Sequence, residues 1–321
     1  MAVQVALVLV VLVVLWYAGR RLGAEWQAVA ATTGTLAVNW WLVLASAAVV
    51  LASYATLIET WRRVVSAWGG QLQWRPAAHI WFVSSLGRYV PGKVWQIGAM
   101  AVLSQRAGVS PVAATGASVL VNLVNLLAGA AVILATGVNV LRVPGGAVVA
   151  AIVLAVALLA APVAIPRVVA LASRITGRDF GIARIPARSL ATAFAGCVAG
   201  WMLYGVAFHL LARGTIGGDG GGGGAGALGA TGGLLGAIAV YTASYLAGYV
   251  AVFAPGGLVV REAVMIETLT RLGFTDYPHA VILAVVSRLW ITALEVIPGL
   301  FFLAQPPPRA NDPLPPTDGS H

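Results

Sequence analysis

Long apolar windows at 2–18, 38–58, 112–136, 145–165, 189–212 and 279–303 constrain this chain more than any other feature. Crossing a bilayer takes about 20 consecutive apolar residues of helix. Lipid offers no hydrogen bonds, so a spanning segment must satisfy its own backbone. These windows therefore predict helical spans, and 234–253 is also long enough to be one. The chain is 60% hydrophobic and only 9% charged, whereas a soluble domain carries about 25% charged residues.

The net charge of +9 does not point to nucleic acid, because the basic residues sit in short loops where the positive-inside rule explains them. Arg167, Arg174, Arg178, Arg184 and Arg188 face one Asp179, which marks 167–188 as cytoplasmic; Arg62, Arg63 and Arg75 mark the segment after the second span. The N-terminus then lies inside, with 2–18 retained as an anchor, and Arg20 and Arg21 fall outside against the rule. Residues 217–233 are mostly glycine, with no Gly-Lys-Ser/Thr behind them, and read as an external loop rather than a phosphate cradle. The membrane unit covers 1–304, and 305–321 is a proline-rich, disordered tail. The single Cys197 lies in an apolar span and reads as a small core residue.

Two Pro-Gly pairs interrupt apolar helix: Pro91-Gly92, inside Gly87-Arg88-Tyr89-Val90-Pro91-Gly92-Lys93-Val94-Trp95-Gln96, and Pro255-Gly256-Gly257, followed by Leu258-Val259-Val260-Arg261-Glu262. Proline removes a helix donor and glycine frees φ, so each pair ends one helix and starts another. Aligning Pro91 with Pro255 brings Gly92 onto Gly256; a one-residue shift then brings Gly108 onto Gly273 and Asn122 onto Ser287. Each half reads span, helix, Pro-Gly, helix, turn, span, giving repeats over 38–136 and 189–303. If each Pro-Gly unit is a re-entrant hairpin (78–106 and 236–272), the halves have inverted topology, as in many secondary transporters, and the tail is cytoplasmic. The fold expected is an all-α polytopic membrane protein with six full spans and two re-entrant hairpins. The alternative, with 234–253 crossing fully, has seven to eight spans and an external tail.

Helix N-termini at the two breaks offer free N–H groups and a favourable dipole to an anion. Arg88, Lys93 and Gln96 stand beside the first, Arg261 and Glu262 beside the second, and arginine grips phosphate bidentately. Glu262 or Glu267 could instead neutralise Arg261. Arg288 lies well inside the last span, where a charge costs about 2.5–3.5 kcal/mol and must face the interior. Glu295 follows seven residues later on nearly the same face and could carry a coupling proton. Asn122 and Asn125 share a face suited to interhelical hydrogen bonds. Glu59 and Arg62 are spaced for a local ion pair. Trp16, Trp40, Trp41, Trp61, Trp68, Trp74 and Trp81 lie near span ends and read as an aromatic belt. His79, His209, His279 and His321 are scattered without metal-ligand spacing, with His79 and His279 expected at the interface, and no paired carboxylates or nucleophile elbow stand out. No catalytic residue, metal or cofactor is expected.

The run from Gly87 to Gln96 with Arg106-Ala107-Gly108-Val109-Ser110, and then Pro255 to Ala263 with Leu272-Gly273 and Ser287-Arg288-Leu289, resembles the two signatures of the lysylphosphatidylglycerol synthase membrane-domain family. The resemblance covers roughly 1–304. It implies a flippase-like membrane fold that moves a polar-headed lipid between leaflets. In the best-known members a synthase part and an aminoacyl-transfer domain follow; here the proline-rich tail follows, so no lysylphosphatidylglycerol synthesis is expected. Where many relatives carry a Gly-Glu and Arg pair, the first hairpin has Ile97-Gly98, which resembles the stand-alone branch with Lys-Val-Trp-Gln.

The expectation is a non-enzymatic lipid translocase of the plasma membrane. Its substrate would be a phospholipid, an aminoacyl-phospholipid or a polyprenyl-phosphate derivative. The alternative is a scaffold or partner of an envelope glycosyltransferase or lipid-modifying enzyme, so envelope biosynthesis enzymes are candidate partners.

Overall fold

A computed structural model describes residues 38–87, 94–141, 167, 187–216, 233–250 and 259–307. The windows 2–18 and 145–165, the break residues Arg88, Pro91, Gly92, Lys93, Pro255, Gly256 and Gly257, most of the glycine loop and the end of the tail lie outside them.

The described residues form eight helices: α1 (Trp40–Ala67), α2 (Trp74–Leu86), α3 (Val94–Arg106), α4 (Pro111–Leu141), α5 (Ala187–Ile216), α6 (Gly233–Val250), α7 (Val260–Arg271) and α8 (Tyr277–Leu303). Four segments are long and apolar enough to cross a membrane: Trp40–Ala67, Ala113–Gly137, Arg188–Ile216 and Tyr277–Leu303. The described residues are thus all-helical apart from their turns, and the chain is a polytopic membrane protein. Local chemistry starts the helices. Asn39 Oδ1 accepts from the Trp41 and Leu42 amides at 3.1 and 3.4 Å, satisfying N–H groups that α1 cannot bond itself. Asp276 does the same for α8 through His279 N–H at 3.2 Å, and Pro111 opens α4, where its missing donor costs nothing.

Helix α1 runs nine residues beyond the window that ended at 58. The charge at Glu59 does not stop it, because Arg62 and Arg63 on the following turn each reach Glu59 at 2.7 Å. The expected Glu59–Arg62 pair is therefore part of a three-residue cluster. Trp61 is not part of an aromatic belt: it is fully buried and its indole N–H donates to Ser118 Oγ of α4 at 3.0 Å. Trp40, Trp41 and Trp74 are exposed, as a belt requires. His79 is buried against Phe302 of α8, with ring centroids 5.8 Å apart, rather than at an interface. Cys197 is buried in the core.

The closest pairing is α1 with α5, and it is antiparallel. Asn39 N–H donates to Gly214 O at 2.8 Å, Ser46 Oγ to Ala207 O at 2.8 Å, and Ser53 Oγ to Gly200 O at 3.1 Å. Gly196 faces Thr60 so closely that a Cβ there would stand 2.0 Å from Thr60 Oγ1. Small residues and hydroxyl-to-carbonyl bonds are what draw helices together where lipid removes the hydrophobic drive. Helix α6 crosses α5 at Gly205, where a Cβ would lie 2.6 Å from Ile238 Cα.

The packing has a two-fold regularity. Let α1, α2, α3 and α4 exchange with α5, α6, α7 and α8. Every packed pair then falls on another: α1–α2 on α5–α6, α2–α3 on α6–α7, α3–α4 on α7–α8, α1–α4 on α5–α8, α2–α8 on α6–α4, and α1–α8 on α5–α4. The α1–α5 pair falls on itself. The chain directions obey the same exchange. Asn122 of α4 meets Tyr249 of α6, and Gly129 meets Leu246, so α4 and α6 are antiparallel. Phe82 and His79 of α2 meet Phe302 of α8, and Leu86 meets Gly299, so α2 and α8 are antiparallel too. Aromatic rings follow the pattern at the centre: Tyr54 meets Phe82 at 5.5 Å, Tyr204 meets Tyr241 at 5.9 Å, and Tyr54 and Tyr204 meet each other at 5.9 Å. Met100 and Met265, equivalent in the register that pairs Gly108 with Gly273, each lie against a serine of the next helix, Ser118 at 2.7 Å and Ser287 at 3.7 Å.

Substituting Gly205→Leu places a side chain into the α6 backbone and is expected to destabilise the detergent-purified protein by about 1–3 kcal/mol, the usual range for overpacking. Gly98→Ala, with nothing within 4 Å of the added Cβ, is expected to be neutral or stabilising. Thermal unfolding of the two variants beside the parent checks both.

Candidate functional site

Charge enters the apolar interior from α7. This short helix is polar along much of its length, and its first turn carries Arg261 and Glu262. It starts abruptly: Val259 has φ of 71°, a left-handed conformation that a β-branched residue adopts only under strain. Glu262 Oε2 accepts the Val259 N–H at 2.8 Å and holds that start in place.

Arg261 is 3% exposed. Its guanidinium lies over the rings of Tyr241 and Tyr245 of α6, at 5.3 and 5.2 Å from their centroids, and Nη2 donates to Ser287 Oγ of α8 at 3.4 Å. The electron-rich tyrosine faces attract the cation. The neutralising partners anticipated from sequence lie elsewhere. Glu267 pairs with Arg271 at the far end of α7, and Glu262 points toward Arg288. Among the described residues no carboxylate is within ion-pair distance of Arg261.

Arg288 and Glu262 form the second part of the cluster, with Arg288 Nη1 3.7 Å from Glu262 Oε1 and both side chains about four-fifths buried. Arg288 therefore faces protein, as its cost in lipid demands. Glu295 is 1% exposed on the same face of α8. Tyr241 is 1% exposed; its ring lies under the Arg261 guanidinium, and it is within electrostatic reach of Arg288 and Glu295.

Of the candidate residues, the structure thus brings Arg261, Glu262, Arg288 and Glu295 to one region where α6, α7 and α8 meet. Asn122 stands apart on α4, where it accepts from Tyr249 Oη at 2.9 Å, one turn along α6 from Tyr245. Asn125 contributes its backbone carbonyl to Trp201 Nε1 at 2.8 Å. The Asn122 bond is an interhelical side-chain bond of the kind expected; the Asn125 bond is interhelical but uses the backbone and not the amide side chain. Gln96 lies in the first turn of α3, with its side chain outside the described residues, as are Arg88 and Lys93. Tyr241, Tyr245 and Ser287 were not singled out as binding residues from sequence. The signal present was two tyrosines four apart, which share a helix face.

The repeat is symmetric in packing but not in charge. The register that pairs Asn122 with Ser287 sets Arg288 opposite Leu123 and Glu295 opposite Ala130. Two arginines, one of them with no acidic partner among the described residues, a buried tyrosine and the N-terminus of α7 make this region suited to holding an anion.

No curated protein matches the chain, and no solved structure does. The family model described as lysylphosphatidylglycerol synthase TM region matches residues 1–299. That match takes in all eight described helices but for the last turn of α8. By this match the chain belongs to the lysylphosphatidylglycerol synthase TM-region family.

Proposed function

We propose that this protein is a lipid translocase that moves a phosphate-bearing, polar-headed lipid between the leaflets of the plasma membrane. Family membership supports a membrane lipid-related role. The observation that carries the finer assignment is Arg261, a cation 3% exposed whose only described partners are two tyrosine faces and a serine hydroxyl. A buried cation with no carboxylate in ion-pair range is costly, and a head-group phosphate would give it a direct anionic partner.

Alternating access needs two halves that can rock about a common interface, and inverted repeats provide them. The antiparallel α1–α5 pair supports inversion, because equivalent helices of a parallel repeat would run the same way. So does the exchange of every packed pair with its counterpart. Helix lengths favour the hairpins. At 1.5 Å per residue, α2 and α3 (13 residues each) are about 20 Å long and α7 (12 residues) about 18 Å. All fall short of the ~30 Å hydrocarbon core. The 18 residues of α6 reach about 27 Å, and it packs against α7 as α2 packs against α3. In this arrangement α2–α3 and α6–α7 enter from opposite faces, and the N-terminus and tail are cytoplasmic. The acyl or prenyl chains stay in lipid while the head group passes along the charged interior. The groups that converge on the site bind and orient an anion; transport, not bond-breaking, is the role assigned to them.

Purified protein in liposomes is expected to speed leaflet exchange of labelled phosphatidylglycerol or a labelled polyprenyl phosphate. Arg261→Gln should slow that exchange by roughly ten- to a hundredfold, the worth of one charged hydrogen-bonding group, with the protein still monodisperse. Unchanged exchange in the variant would remove Arg261 from the site. No exchange with any lipid would overturn the translocase and leave a scaffold for envelope enzymes. Separately, a reporter fused after His321 is expected in the cytoplasm; an external reporter would mean that α6 crosses fully and that the inversion fails.

A further inference from the structure

Glu262 does two things that a bound phosphate would do. Its Oε2 takes the Val259 N–H at the start of α7, and its Oε1 faces Arg288. A helix N-terminus and a guanidinium are the two groups best suited to hold a phosphate oxygen. The carboxylate fills this position poorly. Oε1 is buried and makes no hydrogen bond, and the 3.7 Å to Arg288 Nη1 is longer than a hydrogen bond allows. A second group in this region is also unused: among the described residues the buried Tyr241 hydroxyl has no hydrogen-bond partner, and it lies within the field of Arg261, Arg288 and Glu295. Native interiors rarely leave a hydroxyl orphaned, and each such group calls for an explanation.

We infer that Glu262 is the resting occupant of the head-group site, an internal anion that an incoming phosphate displaces, and that the Tyr241 hydroxyl is the donor held ready for that phosphate. The inference rests on the reading of this cluster as a head-group site. A phosphate carries more acceptor oxygens than the carboxylate. It can take the α7 amide, Arg288, Arg261 and Tyr241 Oη together, whereas Glu262 reaches only the first two. Displacement frees the clamp on Val259, whose left-handed backbone Glu262 now holds. Occupancy by lipid thereby changes the start of α7, the arm that carries Arg261.

The full chain in detergent can be titrated calorimetrically with dihexanoyl phosphatidic acid, and with inorganic phosphate in a parallel arm. Glu262→Gln keeps an oxygen to accept the Val259 N–H but loses the competing charge, so it should bind the short-chain lipid about tenfold more tightly. Tyr241→Phe removes a hydroxyl with no partner among the described residues, so the thermal midpoint should hold or rise while the affinity falls severalfold. Arg288→Gln should weaken binding in either background. Equal or weaker binding by Glu262→Gln, with Arg288→Gln still weakened, overturns displacement and leaves the head-group site standing. Unaltered affinity in Tyr241→Phe overturns the role of the hydroxyl. Unaltered binding in Arg288→Gln and Arg261→Gln removes the site itself, and the inference with it. A gain confined to inorganic phosphate assigns the site to a soluble anion and overturns the lipid reading.

Discussion

The antiparallel contact of α1 with α5 is the constraint on which the other helices depend. In a bilayer, apolar side chains gain nothing by leaving lipid for one another, so helices must be joined by close backbone approach and by polar groups with no better partner. Ser46, Ser53 and the Asn39 amide each find a carbonyl of α5 across this interface, and glycines at 196 and 200 let the two backbones come near. Each such bond contributes only about 0.6 kcal/mol on average in a membrane protein, but three in series also fix the register. Once α1 and α5 are set, α2 packs on one and α6 on the other, and the aromatic row from Phe82 through Tyr54 and Tyr204 to Tyr241 fills the space between.

At the end of that row the packing becomes electrostatic. Tyr241 closes the aromatic series and, with Tyr245, forms the platform for Arg261. The site is therefore continuous with the core. Burial of Arg261 follows from how α6 and α7 pack, and Ser287 and Arg288 are carried in by α8. Removing any of these helices would expose the guanidinium to lipid, where it is least tolerable.

The spans were legible in the sequence because run length is itself a physical requirement of the bilayer, and all four described spans fall on predicted windows. That Arg288 faces protein was legible for a related reason: a charge within a span is too costly to leave in lipid. What local pattern could not give was partnership. Glu262 and Glu267 are both within helical reach of Arg261, and only the placement of α8 sends Glu262 to Arg288 and leaves Arg261 to two tyrosines. Helix α1 outruns its apolar window because Arg62 and Arg63 neutralise Glu59, a pairing that hydrophobicity alone does not register. Trp61 was misjudged because nearness to a span end says nothing of which side the ring faces; the hydroxyl of Ser118, far away in sequence, decides that. Tyr241 and Tyr245 gave only a face, since a tyrosine in an apolar helix looks the same whether it supports a cation or fills a gap.

The mismatch between symmetric packing and asymmetric charge has an energetic consequence. In a molecule whose halves were identical, an arrangement and its two-fold image would have the same free energy, and neither would be preferred at rest. Here the image would put Leu123 and Ala130 where Arg288 and Glu295 stand. A few side chains of α7 and α8 therefore make the arrangement and its image unequal in energy, although the helix packing alone treats them alike.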